Sequence, residues 1–167
     1  MNITEFEGLL STIKDKLASK KEMLPEKDEH TWDCRAREAF YYLMRDVFQE
    51  RFGMDEKQFR KYIFVEKFNP LPGEKAGKIF DSRLYPDATF KDDDGRKLAI
   101  ELDHGKMGSK IKNALVKAGI LKLVGDFYGI VVFFFIYPPG RTFTFKETEQ
   151  KVLRFYKENL CTQVLLV

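Results

Sequence analysis

The run Gly129-Ile-Val-Val-Phe-Phe-Phe-Ile-Tyr137 has no polar face. A strand that is apolar on both sides has to be covered on both sides, the pattern of a central strand in an α/β sheet. It is also far shorter than the roughly 20 apolar residues that a membrane helix needs. The rest of the chain therefore has to provide helices for two faces.

It does so at several places. Ile3, Phe6, Leu10, Ile13 and Leu17 repeat at helical spacing behind the capping-box pair Thr4 and Glu7, and Pro25 ends that element. With the polar stretch up to His30, residues 1–30 read as an N-terminal helical extension and linker. Thr31 or Asp33 can cap a second helix, which carries Ala36, Phe40, Leu43, Met44, Val47 and Phe48 inward until about Arg51 and Gly53. Asp55 to Lys61 reads as a short basic helix or turn. Tyr62 to Phe68 is strand-like and ends in the loop Asn69-Pro-Leu-Pro-Gly73, and Ile79 to Tyr85 is a further extended piece.

Asp87 to Lys91, the turn Asp92-Asp-Asp-Gly95 and Lys97 to Asp103 form a hairpin. A helix from Ser109 to about Val124 has Ile111, Ala114, Leu115, Ala118 and Leu121 inward and Lys110, Lys112, Lys117 and Lys122 outward. Pro138-Pro-Gly140 closes the buried run. Thr144 and Glu147 open a last helix through Val152, Phe155 and Leu160, and Thr162 to Val167 is a final strand. The expectation is a single α/β domain over 1–167, a mixed central sheet with helices on both faces.

Charge narrows function only a little. Lys plus Arg is 29 and Asp plus Glu is 26, a net +3, too small an excess to point to nucleic acid by itself. Its distribution says more, because basic residues crowd into Arg51–Lys67 and Arg96–Lys122. The outward lysines joined to Arg51, Arg60 and Lys61 would make a phosphate-binding footprint. Cys34 and Cys161 have no metal-ligand spacing and read as reduced, mostly buried thiols. The N-terminus lacks a signal-peptide pattern, so the expected location is cytoplasmic.

The residues with chemical potential are acidic. Glu101 and Asp103 project from one face of their strand, opposite to Leu98, Ile100 and Leu102. With the turn centred on Asp93 and Asp94, Asp87 falls across from about Ile100, and one slip of register or the hairpin's twist brings it to Glu101. Three such carboxylates repel one another unless a cation neutralises them, and hard oxygen donors favour Mg²⁺ or Mn²⁺. Lys110, in the first turn of the next helix, would put a positive group nearby. This suits hydrolysis of a phosphodiester: the metal activates water and offsets charge on the phosphoryl group, and a lysine positions water or stabilises the departing charge. His104, a loop residue beside the acids, is read equally as a contact to metal or phosphate and as a residue without a role; His30 reads as part of a polar linker, and Asp92 to Asp94 as a solvent-facing turn without calcium-loop spacing.

Tyr85-Pro86-Asp87, then Ile100-Glu101-Leu102-Asp103 and a basic helix, resembles the PD-(D/E)XK nuclease superfamily, the restriction-endonuclease-like fold, over roughly Trp32 to Val167. The resemblance implies that Asp87 and Glu101 bind metal, that the Leu102 backbone carbonyl completes the coordination, and that Glu38 matches an accessory acid of some branches. It departs at Asp103, where the family usually has its lysine. In some members the lysine has moved to the next helix, which makes Lys110 the first substitute and Lys106 and Lys112 the next. The implied activity is a metal-dependent endonuclease acting on DNA, with RNA as the other substrate. The competing expectations are a catalytically inactive nucleic-acid-binding or assembly module of the same fold, and a homodimer or other subunit partner built on the N-terminal helix.

Overall fold

The computed structural model describes residues 1–24, 29–71, 77–79, 82–106, 108–137 and 143–167. Pro25, Pro72-Gly73 and Pro138-Pro139-Gly140, expected to stop or turn the chain, lie outside the described residues. The elements in order are α1 (Ile3–Glu7), α2 (Leu10–Lys20), a 3₁₀ turn (Lys21–Met23), α3 (Glu29–Phe52), α4 (Glu56–Phe59), β1 (Ile63–Val65), β2 (Gly77–Ile79), β3 (Ser82–Leu84), β4 (Ala88–Lys91), β5 (Lys97–Gly105), α5 (Ser109–Val124), β6 (Gly129–Ile136), α6 (Glu147–Leu160) and β7 (Thr162–Leu166).

Five strands form the main sheet in the order β1-β4-β5-β6-β7, and β2 pairs with β3 in a separate hairpin. β4 runs antiparallel to its neighbours β1 and β5, while β6 and β7 continue parallel to β5. The result is a mixed sheet with helices on both faces. Every residue of β6 is buried, as its lack of a polar face requires. Val131, Phe133 and Phe135 belong to a core with α1, α2 and α3, and Ile130, Val132, Phe134 and Ile136 to a second core with α5. β6 begins so tightly between its neighbours that a Cβ on Gly129 would lie 2.9 Å from Leu98 Cδ2 and 3.0 Å from the Cys161 carbonyl oxygen. Cys161 itself ends α6 in the left-handed region, φ 46°. Both cysteines are free thiols, Cys34 half-buried and Cys161 exposed.

Several boundaries differ from expectation for local reasons. The first helix is split at Gly8, and its capping box is Asn2 with Glu5 rather than Thr4 with Glu7. The last helix opens at Glu147, where Glu149 accepts from the Lys146 amide at 2.7 Å. His30 lies in α3, not in a linker. β1 stops at Val65 because Asn69 pairs with Val65 and donates its side chain to the Arg60 and Ile63 carbonyls at 2.8 and 2.7 Å. Asp92 is buried rather than solvent-facing, and it holds the hairpin turn by accepting from the Arg96 amide and Nε, both at 2.8 Å.

The N-terminal segment packs into the main core. Ile3, Phe6, Leu10, Ile13, Leu17 and Leu24 are all buried there, so the apolar stripe that left room for a second subunit is covered by the chain's own sheet and α3. Phe6 is stacked on Phe90 with ring centroids 4.2 Å apart. Phe6→Ala should lower unfolding free energy by about 3–5 kcal/mol, measured by urea denaturation. A loss under about 1 kcal/mol would mean that α1 only rests on the surface.

Candidate functional site

The hairpin pairs one residue further along than its turn predicts: Ala88 sits opposite Ile100 and Lys91 opposite Lys97. The next rung brings Asp87 level with Glu101. Glu101 and Asp103 share the face of β5 that lies under α5, because Leu98, Ile100 and Leu102 take the other face into the main core. The sheet thus puts Glu101 and Asp103 on one face and Asp87 level with Glu101, beyond the last rung of β4.

Asp87 is buried, and each of its oxygens has a partner. Arg37 Nε donates to Oδ1 at 2.9 Å and the Leu102 amide donates to Oδ2 at 2.8 Å. Arg37 Nη1 also reaches Glu66 at 3.4 Å. Burial works against the charge on Arg37, but Asp87, Asp33 and Glu66 outweigh it and hold its pKa above the ordinary value. Arg37 was not legible as a site residue, since on α3 it is one basic side chain among several.

Glu101 is 2% exposed. Its Oε2 forms an ion pair with Lys117 Nζ, while Oε1 is buried without a hydrogen-bond partner among the described residues. Burial, with the Asp87 charge behind it, pushes the Glu101 carboxyl up to about 8 against the pull of Lys117. Asp103 is half-buried and accepts from the neighbouring His104 amide at 2.7 Å. Its pKa is raised by burial and by Asp87, with Lys117 and Lys110 acting in the opposite sense. Burial would lower Lys117 as well, but Glu101, Asp87 and Asp103 more than compensate, so it stays cationic.

The lysine that meets the acids is therefore Lys117, which sequence reasoning put on the outward face of α5. A signal was available: Lys110, Ala114, Lys117 and Leu121 are spaced four, three and four apart, one stripe of a helix. Ala114 and Leu121 are buried in that stripe, and Lys117 lies between them. Lys110, the first choice for this role, packs its stem on Gly105, where a Cβ would lie 3.0 Å from Lys110 Cγ; its charge acts on Asp103. Lys106 and Lys112 are exposed. Lys122 is tied to the Phe127 and Tyr128 carbonyls at 2.7 and 2.8 Å, and Arg60 to Glu56 at 3.1 Å, so part of the expected basic footprint has local partners.

Glu38 is not brought to the acids. Its carboxylate meets Arg35 Nη1 at 3.2 Å, beside a surface hollow shared with Lys20 and Tyr42. His104, two residues on from Leu102 along β5, stacks on buried Trp32 with centroids 4.0 Å apart, on the face of the sheet opposite to Glu101.

Among the described residues, no three His, Cys, Asp or Glu side chains converge as a ready-made metal cage. The donors that remain still suit a hard divalent cation. A carboxylate oxygen has two lone-pair sites; each oxygen of Asp87 uses one and Glu101 Oε1 uses none. The amide and carbonyl of a strand residue point the same way, so the Leu102 carbonyl points with its amide towards the Asp87 end of the hairpin. Compared with known proteins, the chain matches no family model, no curated protein and no solved structure. Among the described residues, no helix is long and apolar enough to cross a membrane.

The raised Glu101 carboxyl has a consequence for stability. Between the ordinary 4.5 and about 8 the native state keeps a proton that the unfolded chain releases, so stability falls as pH rises through that window. Urea midpoints of the metal-free protein should decline from about pH 5 to about pH 8, and Glu101→Gln should remove most of the decline. An equal slope in the variant would place the titration elsewhere.

Proposed function

We propose that this domain is a metal-dependent endonuclease hydrolysing DNA phosphodiester bonds, with Mg²⁺ or Mn²⁺ held by Asp87, Glu101 and the Leu102 carbonyl. The observation that carries the reading is the Glu101–Lys117 pair. A lysine from the helix behind β5 meets the buried acid, although position 103 is an aspartate. The pairing of two buried carboxylates with a lysine is the combination that the sequence resemblance implied, with the lysine relocated to α5.

The bound metal would lower the pKa of its water and offset charge on the phosphoryl oxygens. The chain's own residues divide the remaining work. Arg37 fixes the orientation of Asp87 through its Oδ1, and the Leu102 amide does so through Oδ2. Lys117, kept cationic by its three acidic neighbours, is suited to donate a hydrogen bond to the attacking water or a phosphoryl oxygen rather than to take a proton. Asp103, partly buried and raised, can accept a proton or orient the water. Lys106, exposed just after β5, would meet a flanking phosphate, which would supply affinity without sequence selectivity.

The rival reading is a nucleic-acid-binding or assembly module of the same architecture without catalysis. It is favoured by the guanidinium already seated on Asp87 and, among the described residues, by the absence of three converging metal-ligating side chains. Incubation with plasmid, single-stranded and branched DNA separates the two. Cleavage should require Mg²⁺ or Mn²⁺ and fall by about 10²-fold or more in Glu101→Gln and in Lys117→Ala, with both variants folded. DNA binding without cleavage of any form would establish the rival, and cleavage untouched in both variants would place the chemistry elsewhere.

A further inference from the structure

By the alternation of β4, Thr89 shares a face with Asp87, and Phe64 lies directly opposite Thr89 across the β1–β4 pair. This is the face that carries Glu101 and Asp103. Over β5 and β6 it is covered by α5, and α6 packs beside β7. Over β1 and β4 the same face opens instead into a cavity of about 160 Å³ whose wall includes Asp87 itself. Phe64 and Tyr85 line it with Pro70 and Pro86, and Glu66 supplies its other carboxylate. Several times the roughly 30 Å³ share of one water, the space suits one flat ring system.

Arg37 connects this cavity to the acids, with Nε on Asp87 and Nη1 at 3.4 Å from Glu66. A nucleotide whose base entered between Phe64 and Tyr85 would bring its phosphate towards that guanidinium, which recognises phosphate well. The base would stack on aromatic and proline surfaces, contacts that tolerate any base. Glu66, acceptor-only when ionised, adds a preference for guanine, whose Watson–Crick edge alone presents two adjacent donors, N1–H and N2–H.

We propose that the cavity beside Asp87 is a nucleobase subsite, holding one unpaired base of the strand whose phosphate lies at the acids. The proposal rests on the nuclease reading and names its substrate class. A base in an intact duplex cannot enter a walled cavity without leaving its stack, so the strand is single-stranded or locally unpaired where it is cut. Guanine, with two adjacent donors, is preferred to adenine, cytosine and thymine, which offer one each.

The test is an amide NMR titration of the metal-free full chain with the four deoxynucleoside 5′-monophosphates, using 2-deoxyribose 5-phosphate as the base-less control. The amides of Phe64, Glu66 and Thr89 should shift most with dGMP. They should shift about fivefold more weakly with dAMP, dCMP and dTMP and least with the sugar phosphate, an order that stacking and edge contacts together dictate. Phe64→Ala and Tyr85→Ala should each abolish the base-dependent shifts with the unfolding midpoint retained, and Glu66→Gln should bring dTMP level with dGMP. Equal shifts for nucleotides and sugar phosphate, or none at these amides, would overturn the subsite. Because no metal or cleavage enters the titration, it fails separately from the nuclease reading. Shifts in a chain that cuts no DNA would remove the catalysis and leave the subsite. Cutting without shifts would do the reverse.

Discussion

Glu101 is placed where a carboxylate is costly to keep charged. It lies under α5 on the central sheet, with the Asp87 charge nearby and one oxygen unbonded. Lys117 relieves part of that cost. Burying an ion pair seldom adds net stability over a well-packed apolar pair, and an unsatisfied buried oxygen makes the balance worse. A domain shaped for stability alone would have an apolar residue at 101, continuous with Ala99 and Val132 on that face. The proposed cation site would account for this cost, and the rest of the local structure holds the acids in place. Arg37 and the Leu102 amide hold Asp87, and the His104 amide orients Asp103.

The architecture makes this position possible. β6, apolar on both faces, needs a core on each side, and the parallel crossover from β5 through α5 to β6 lays α5 across the acidic end of β5. The antiparallel hairpin brings Asp87 to the same end. Carboxylates at the ends of sheet strands, with a helix carrying a lysine above them, follow from three consecutive chain segments. The α1–α3 side supplies bulk, and through Arg37 it adds a positive charge on Asp87.

Much of this was legible in the sequence. The unbroken apolar run called for a central strand, the alternation in Lys97 to Asp103 separated Glu101 and Asp103 from the core residues, and the acidic turn set the hairpin. The rest depended on details that periodicity does not encode. The register was one residue off because Asp92 is drawn inward by Arg96, lengthening the turn. Lys117 was assigned to solvent because a lysine between buried positions normally snorkels outward; here a buried acid lies within its reach. Arg37 had no pattern to mark it, since its partner Asp87 is fifty residues away. Glu38 is its immediate neighbour on α3, and the turn of the helix puts it towards Arg35 instead.

The central claim is that Asp87 and Glu101 share one divalent cation, and a buried carboxyl raised to about 8 makes that claim measurable. Metal binding needs the ionised form, so it has to displace the proton. Calorimetric titration with Mn²⁺ near neutral pH, in two buffers of different ionisation enthalpy, should show one binding site that releases about one proton per metal. Both the binding and the release should be lost in Asp87→Asn and Glu101→Gln. Absence of Mn²⁺ binding, or binding of the same strength in Glu101→Gln, would contradict the account.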